Sequence, residues 1–372
     1  MDKPLVASRV IRPSSRHYLP RGLIMRLIVS FLTFVFLATL SPAAEDPRAY
    51  SNVYDLERER KFSERAADWR LGPVVYQVIV DRFAPAADLD AKRDLYPAPK
   101  RLRDWDEKPT KGTYLEEVEV WSHEIDFWGG DLASLRSQLD WVENLGVDLL
   151  YLNPIHLAYT NHKYDAQDYF EVSPEYGTRD DVVDLADELQ ARGMRLMLDG
   201  VFNHMGRTSP MFQDALERGV ESEWFDWFYI GDEYNMGYRG WYNVANLPEI
   251  NLENPEVRAR VYGDTDSDIQ GYLRDGVDGW RLDVAFDIGF RYLNELTRAA
   301  HTAKPGSVVI GEIWNYPAEW IPAVDGVMNM TFRHIILETS RGDTSPALSN
   351  RQIAQLVYDA GVEALSRSHL VL

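Results

Sequence analysis

From residue 74 onward, short apolar runs of β-rich composition alternate with amphipathic stretches. The runs span 74–80, 147–153, 194–201, 277–284, 308–314 and 326–330. Near-continuous apolarity, rather than strict alternation, suits strands covered on both faces, as in a parallel sheet. The intervening stretches, among them 131–145, 179–192 and 254–274, repeat their apolar positions with helical spacing. Strand, helix, strand over six repeats exceeds a small doubly wound domain and predicts an α/β fold, the (β/α)8 barrel. A Rossmann-type sheet is the competitor, but no run opens on a glycine-rich phosphate turn.

Two connections are too long for plain loops. About fifty residues separate the run ending at Val201 from the next helical stretch near Pro255. Connections of that length usually carry function. This one holds Trp224, Trp227, Tyr229, Trp241 and Tyr242, and reads as an inserted subdomain, 202–254, overhanging the barrel mouth. A second insertion, 84–127, is rich in Asp, Lys and Pro. Both leave the C-terminal ends of strands, where barrel enzymes keep their chemistry.

Charged residues gather at those ends. The third run finishes on Asp199 and continues to Asn203 and His204, the fourth carries Arg281 and Asp283, and the fifth carries Glu312. Arg281 and Asp283 are two apart on a strand and so share a face, where a guanidinium holds a carboxylate ionised. An ionised carboxylate suits a nucleophile at a sugar carbon. A second carboxyl on the next strand can protonate the departing oxygen if its surroundings raise its pKa. Two such groups on neighbouring strands predict a separation of roughly 5 Å, that of a retaining glycosidase. Any one of these residues alone reads as well as a structural ion pair. Their register on consecutive strands makes the site.

Asp199-Gly-Val-Phe-Asn-His204, Gly279-Trp-Arg-Leu-Asp283 and Gly311-Glu-Ile-Trp314 resemble three of the four signature regions of the α-amylase family, glycoside hydrolase family thirteen. Leu247-Pro248-Glu249-Ile250-Asn251 is similar to the family's fifth region in the form found near neopullulanases and cyclomaltodextrinases. The likeness runs from Val74 to Asn329. It implies Asp283 as nucleophile, Glu312 as acid/base and Arg281 as partner of the nucleophile. It also implies His204 and Tyr164 as contacts of the sugar beside the scissile bond, with Asp199 in support. Asn203, Asp165, Trp314 and Asp287 complete the expected substrate-binding set. The substrate implied is an α-glucan, a maltooligosaccharide or a cyclodextrin. A transglycosidase or isomerase on the same scaffold, or a non-catalytic truncated barrel, are the alternative readings.

The chain departs from the family pattern in two places. Phe286-Asp287 stands where starch-cutting relatives often have Lys-His and neopullulanase-like ones Asn-Glu, which leaves the acceptor preference open. The fourth signature, a His-Asp pair after a seventh strand, is not found: His369 has no Asp after it. The expectation is a barrel incomplete at its C-terminus, poorly stable and close to inactive unless completed by another chain. The resemblance further implies a Ca2+ site at Gly129-Gly130-Asp131 with Asp88 and Asp90 from the first long loop. The loop lacks the usual Asn-Gly-Asp spacing, so a solvated acidic loop competes with that reading.

Charge and composition narrow the partners. The 372 residues carry a formal net charge of −20, which disfavours nucleic acid and anionic membranes. Eleven Trp and twenty Tyr supply flat rings suited to sugar faces, although core packing accounts for most of them. Met25-Arg26, an apolar run over 27–40 and Ser41-Pro42-Ala43-Ala44 predict a secretory signal peptide, cleaved after Ala43 or Ala44. The run is shorter than the roughly 20 residues of a spanning helix, and an uncleaved anchor is the alternative. The expected product is secreted or periplasmic, with no stable membrane insertion. The expected division is 1–43 extension and signal, 44–70 helical lead-in, and 71–372 partial barrel. Oligomeric state stays open.

Overall fold

The computed structural model describes residues 53–341; the run 27–40 and His369 lie outside that range. Helix Val53–Ala67, within the lead-in, belongs to one compact unit, and the described residues from Asp68 onward form a second. No helix among the described residues is long and apolar enough to cross a membrane.

Among the described residues, six strands make one parallel sheet, ordered as they occur in the chain: β1 Val75–Val78, β2 Leu149–Leu152, β3 Arg195–Gly200, β4 Gly279–Leu282, β5 Val308–Ile313 and β6 Gly326–Asn329. Each falls within one of the six apolar runs. Every adjacent pair is parallel. An order without reversal is that of a barrel wall; a doubly wound sheet reverses its order at a switch point. Helices Leu139–Asn144, Arg179–Ala191, Asp268–Arg274 and Phe290–Ala303 precede β2, β3, β4 and β5, and Met330–Arg341 follows β6.

Side chains on a strand alternate between faces, and the two faces do different work. Leu150, Leu152, Leu196, Leu198, Trp280, Leu282 and Val327 point outward and merge with Leu185, Leu189, Ile269, Leu273 and Leu296 of the helices in the main core. Burying each such side chain stabilises the fold by about 1.5–3 kcal/mol. Leu149, Tyr151, Met197, Val308, Ile310 and Met328 point inward and form a second cluster. The polar residues of the inner face therefore stand directly above an apolar floor.

Two expected helices are broken. The stretch 131–145 forms Leu132–Arg136 and Leu139–Asn144, with the Ser137 hydroxyl donating to the Ser134 carbonyl at 2.6 Å in the gap. The stretch 254–274 stops after a π-turn at Ala259–Gly263 and restarts at Asp268–Arg274, where Ser267 caps the new N-terminus. The insertion 202–254 contains a helix, Pro210–Arg218, that its aromatic content concealed. Its Phe212, Phe228, Tyr238 and Ile250 belong to the main core, so it extends the barrel wall. The insertion 84–127 instead builds its own small cluster around Tyr96, Val120, Ile125 and Phe127.

His156, on the hairpin His156–Ala158/Ala166–Val172 that follows β2, is fully buried and stacks on Trp280 (ring centroids 6.3 Å apart, planes 7° apart). Neither of its ring nitrogens has a hydrogen-bond partner among the described residues. Burial, with the charge of Arg179 adding to it, pushes its pKa down from 6.5 to about 3. The folded protein thus refuses a proton that the unfolded chain accepts, and stability falls as pH drops from about 6.5 toward 3. Urea unfolding at pH 7 and pH 4.5 should show this fall, and His156→Phe, which keeps the stacked ring, should shrink it. An identical acid slope in the variant would assign the fall to other groups.

Candidate active site

The strand register brings the charged residues together. Arg281 on β4 lies level with Asp199 on β3 and Ile310 on β5. Asp283 and Glu312 each stand two residues further along the same inner face, at the C-terminal ends of their strands. One guanidinium joins all three carboxyls. Arg281 Nη1 donates to Asp199 Oδ1 at 2.8 Å, Asp199 Oδ2 at 3.0 Å and Asp283 Oδ1 at 2.9 Å. Its Nη2 lies 2.7 Å from Glu312 Oε2, and its Nε donates to Met328 Sδ at 3.3 Å.

Tyr151, Asn153 and Gln77 of this network escaped the sequence reading, whereas Tyr164 was expected at the site. Tyr151 donates to Asp199 Oδ2 at 2.5 Å, and Tyr164 donates to the same oxygen at 3.0 Å. Asn153 donates to the Tyr164 hydroxyl at 2.9 Å and accepts from Gln77 at 3.0 Å. The signal was present but weak: Tyr151 and Asn153 alternate with Leu150 and Leu152 at the end of the β2 run. A polar residue every second position marks a face that is not hydrocarbon-covered.

A single cation is shared by two buried carboxyls, Asp199 and Asp283, and the half-buried Glu312. Burial, ahead of the attraction of Arg281, pushes Asp199 above the ordinary carboxylate range. Burial likewise pushes Asp283 up to about 8 against that attraction, and the charges of Asp199 and Glu312 add to the rise. Arg281 draws Asp283 toward the ionised form that a nucleophile needs, but it divides its charge among Asp199, Asp283 and Glu312. Asp199 and Asp283 therefore titrate together rather than one by one.

Glu312 is held by three donors. Besides Arg281, Trp314 Nε1 donates to its Oε1 at 2.9 Å and the Val284 N–H to its Oε2 at 3.0 Å. Val284 adopts a left-handed conformation (φ 39°, ψ 44°), which costs a β-branched residue of order 1–3 kcal/mol. The same turn ends β4 and aims that N–H at the neighbouring strand. Above it, Trp314 lies 5.1 Å from Phe286 and 6.4 Å from Tyr242, ring centre to ring centre. Asp287 accepts from Trp241 Nε1 at 3.0 Å and so ties the insertion to the turn after β4.

His204 is buried beneath Trp241, with ring centres 5.7 Å apart. Burial pushes its pKa down to about 4, against a bond to the Tyr164 backbone, so the ring is neutral. Its Nε2 lies 3.1 Å from the Tyr164 carbonyl and its Nδ1 3.3 Å from Asn203 Nδ2. The carbonyl only accepts and the amide nitrogen only donates, so Nε2 carries the hydrogen. Asn203 therefore orients His204. Asp165 is fully buried, bound by the Thr160 hydroxyl and backbone and, at 3.4 Å, by Asn246 of the insertion; the structure gives it a scaffolding position.

Lys163, between His162 and Tyr164, has φ +64° and no solvent exposure, and its ammonium lies 2.5 Å from Glu175 Oε1. Burial opposes the charge of Glu175, but Lys163 outweighs it and holds the carboxyl below its usual range. The pair pins the segment that delivers Tyr164. Lys163→Met strands a buried carboxylate and should lower unfolding free energy by about 3–5 kcal/mol in urea titration at pH 7, with the loss reduced in Lys163→Met/Glu175→Gln. A single variant as stable as the parent would show that the pair is not what holds Glu175.

The residues expected to hold Ca2+ do not converge. Asp88 accepts from the Ala91 N–H at 3.0 Å and Asp90 pairs with Arg93 at 2.8 Å. Asp131 caps helix Leu132–Arg136 through Ser134 N at 2.8 Å and pairs with Lys92 at 3.0 Å. Among the described residues no group of three or more acidic or histidine side chains could hold a metal ion. Asp88, Asp90 and Asp131 are separated because each is already committed to a nearby N–H or cation.

The family described as "Alpha amylase, catalytic domain" matches residues 77–358. The intracellular maltogenic amylase of Bacillus subtilis (strain 168) is 35% identical over 280 residues, covering 74% of this chain and 44% of that protein. A cyclomaltodextrinase of Geobacillus thermopakistaniensis (strain MAS1) is 33% identical over 86% of this chain and 51% of its own length. The chain thus spans about half the length of these curated relatives. The ligand-free cyclic α-maltosyl-(1→6)-maltose hydrolase from Arthrobacter globiformis superposes with a TM-score of 0.69 at 31% identity, covering 81% of this chain and 65% of that one. Strand order, the Arg281 cluster and the match over 77–358 agree: the chain belongs to the α-amylase family, of which it carries catalytic-domain sequence.

Proposed function

We propose that this chain carries the reacting groups of a retaining hydrolase of α-glucosidic bonds, acting on maltooligosaccharides or cyclodextrins. The observation that carries the reading is the sharing of Arg281 by Asp283 and Glu312. Held on sister nitrogens of one guanidinium, the two carboxyls are drawn toward each other, which supports the close pairing of roughly 5 Å that a retaining mechanism requires. The relatives named above as maltogenic amylase and cyclomaltodextrinase support the substrate class.

The chemistry follows from two carboxyls and one proton. Asp283 attacks the anomeric carbon as the bond to the glycosidic oxygen breaks, and Glu312 delivers its proton to that oxygen. Water then attacks the glycosyl–Asp283 ester, Glu312 takes the water's proton, and the Asp283 carboxylate leaves. Arg281 stays charged throughout and faces the negative charge wherever it resides. The Val284 N–H and Trp314 hold Glu312 in one orientation through both steps, which spares reorganisation at the moment of reaction. Neutral His204, with both ring nitrogens engaged by the Tyr164 carbonyl and Asn203, adds no second positive charge beside the developing oxocarbenium ion.

Proton NMR of freshly cleaved maltotriose tests the reading: the first product should carry the α-anomer, and a β-anomer would mean inversion. Glu312→Gln should lower kcat by about 10²–10⁴, and most for poor leaving groups. Asp283→Asn should abolish the glycosyl adduct that an activated fluorinated glucoside leaves on the parent. Oligomers longer than maltotriose among the products would move the assignment to transglycosylation.

We further infer export, supported by Met25-Arg26, the apolar run 27–40 and the small residues before Glu45. N-terminal sequencing of the processed protein should begin at Ala44 or Glu45, and an intact Met1 or Met25 would refute it.

A further inference from the structure

We propose that the ammonium of Lys92 is a resident cation that stands in for a metal ion at the joint between the first insertion and the barrel, so that this fold needs no calcium. The family likeness leads one to expect Ca2+ bound by backbone and carboxylate oxygens around Gly129-Gly130-Asp131. Lys92 fills that place. Its Nζ donates to the Gly129 carbonyl at 2.8 Å and to Asp131 Oδ2 at 3.0 Å, with the side chain only 11% exposed.

The surroundings are built to hold that carbonyl in place. Gly129 has φ +78°, and a Cβ on Gly130 would lie 2.2 Å from the Val80 carbonyl oxygen, so the loop is pressed against the end of β1. Asp81, fully buried, accepts from the N–H groups of Trp128 (3.0 Å) and Gly129 (2.9 Å), and its backbone carbonyl accepts from the Gly130 N–H at 3.0 Å, which fixes the Gly129–Gly130 peptide from its other side. Asp131 has one oxygen committed to the helix cap and the other to Lys92. These distances suit hydrogen bonds from nitrogen. Calcium wants six to eight oxygens at about 2.3–2.6 Å, and Asp88 and Asp90, the other carboxylates of this loop, are engaged elsewhere. A divalent cation here would also meet the ammonium at close range, with like charges repelling.

The economy of the arrangement is plain. Lys92 lies on the turn Asp90–Leu95 within the insertion, while Asp131 opens helix Leu132–Arg136 of the barrel. The cation that bridges them is covalently part of the chain, so it cannot be lost to dilution or chelation. This inference concerns stability and stands whether or not the chain cleaves glucans.

The test is thermal unfolding of the full chain after dialysis against EDTA, with and without added CaCl2. The parent should melt at the same temperature in both. A metal bound at a hundredfold excess over its Kd would raise Tm by roughly 5–10 °C, and such a rise in the parent would overturn the proposal. Lys92→Met keeps the aliphatic stem and leaves the Gly129 and Asp131 oxygens facing each other without a cation. It should melt several degrees below the parent in EDTA and recover part of the loss with CaCl2. A variant that melts with the parent in EDTA would also overturn the proposal; if the variant does not fold, the calcium response of the parent decides.

Discussion

The cluster of carboxyls at the C-terminal ends of these strands depends on one shared guanidinium. Arg281 takes hydrogen bonds to Asp199 and Asp283 and an ion pair to Glu312 out of a single planar group on the middle strand of three. Buried carboxylates repel one another, and without a central cation they would each take up a proton or force the strand ends apart. Tyr151 and Tyr164 soften the same problem by donating to Asp199. The cluster is thus stabilised by hydroxyl hydrogen bonds to Asp199 and by the charge of the arginine. Its upper edge, where Asp283 and Glu312 sit, is left to a substrate.

The same solution recurs away from the site. Lys163 against Glu175 and Lys92 against Asp131 are further cations enclosed in a chain whose formal net charge is −20. Each joins a loop at the C-terminal side of the sheet to the body of the fold. Loops carry few apolar contacts of their own, so a buried or half-buried ion pair gives them a fixed attachment that the core cannot. The cost is that removing either partner leaves an uncompensated charge. The insertion 202–254 is attached differently, by Phe212, Phe228 and Ile250 entering the main core and by Trp241 bonding to Asp287. It also lays Trp241 over His204, next to the reacting groups.

Much of this was legible beforehand because its physical basis is local. A strand covered on both faces must be apolar along its length, so all six strands could be read from composition, and period-two alternation put Arg281 and Asp283 on one face. Helix breaks were not legible. Whether Ser137 caps a gap, or Gly263 ends a turn that Ser267 restarts, depends on what packs beside them. The helix Pro210–Arg218 was hidden because its residues contribute to a core that no stretch of sequence displays.

The sequence by itself determined the parallel barrel wall, the placing of Asp199, Arg281, Asp283 and Glu312 at its strand ends, and the family, since strand periodicity and motif spacing need no knowledge of neighbours. Only the tertiary structure decided how charge is shared. It made one arginine serve three carboxyls, turned Asp165 into scaffolding, and gave Asp131 a lysine for a partner. Burial and distance set those outcomes. Both come from residues far apart in the chain, such as Lys92 and Asp131 or Tyr151 and Asp199, that meet when the wall closes on its insertions.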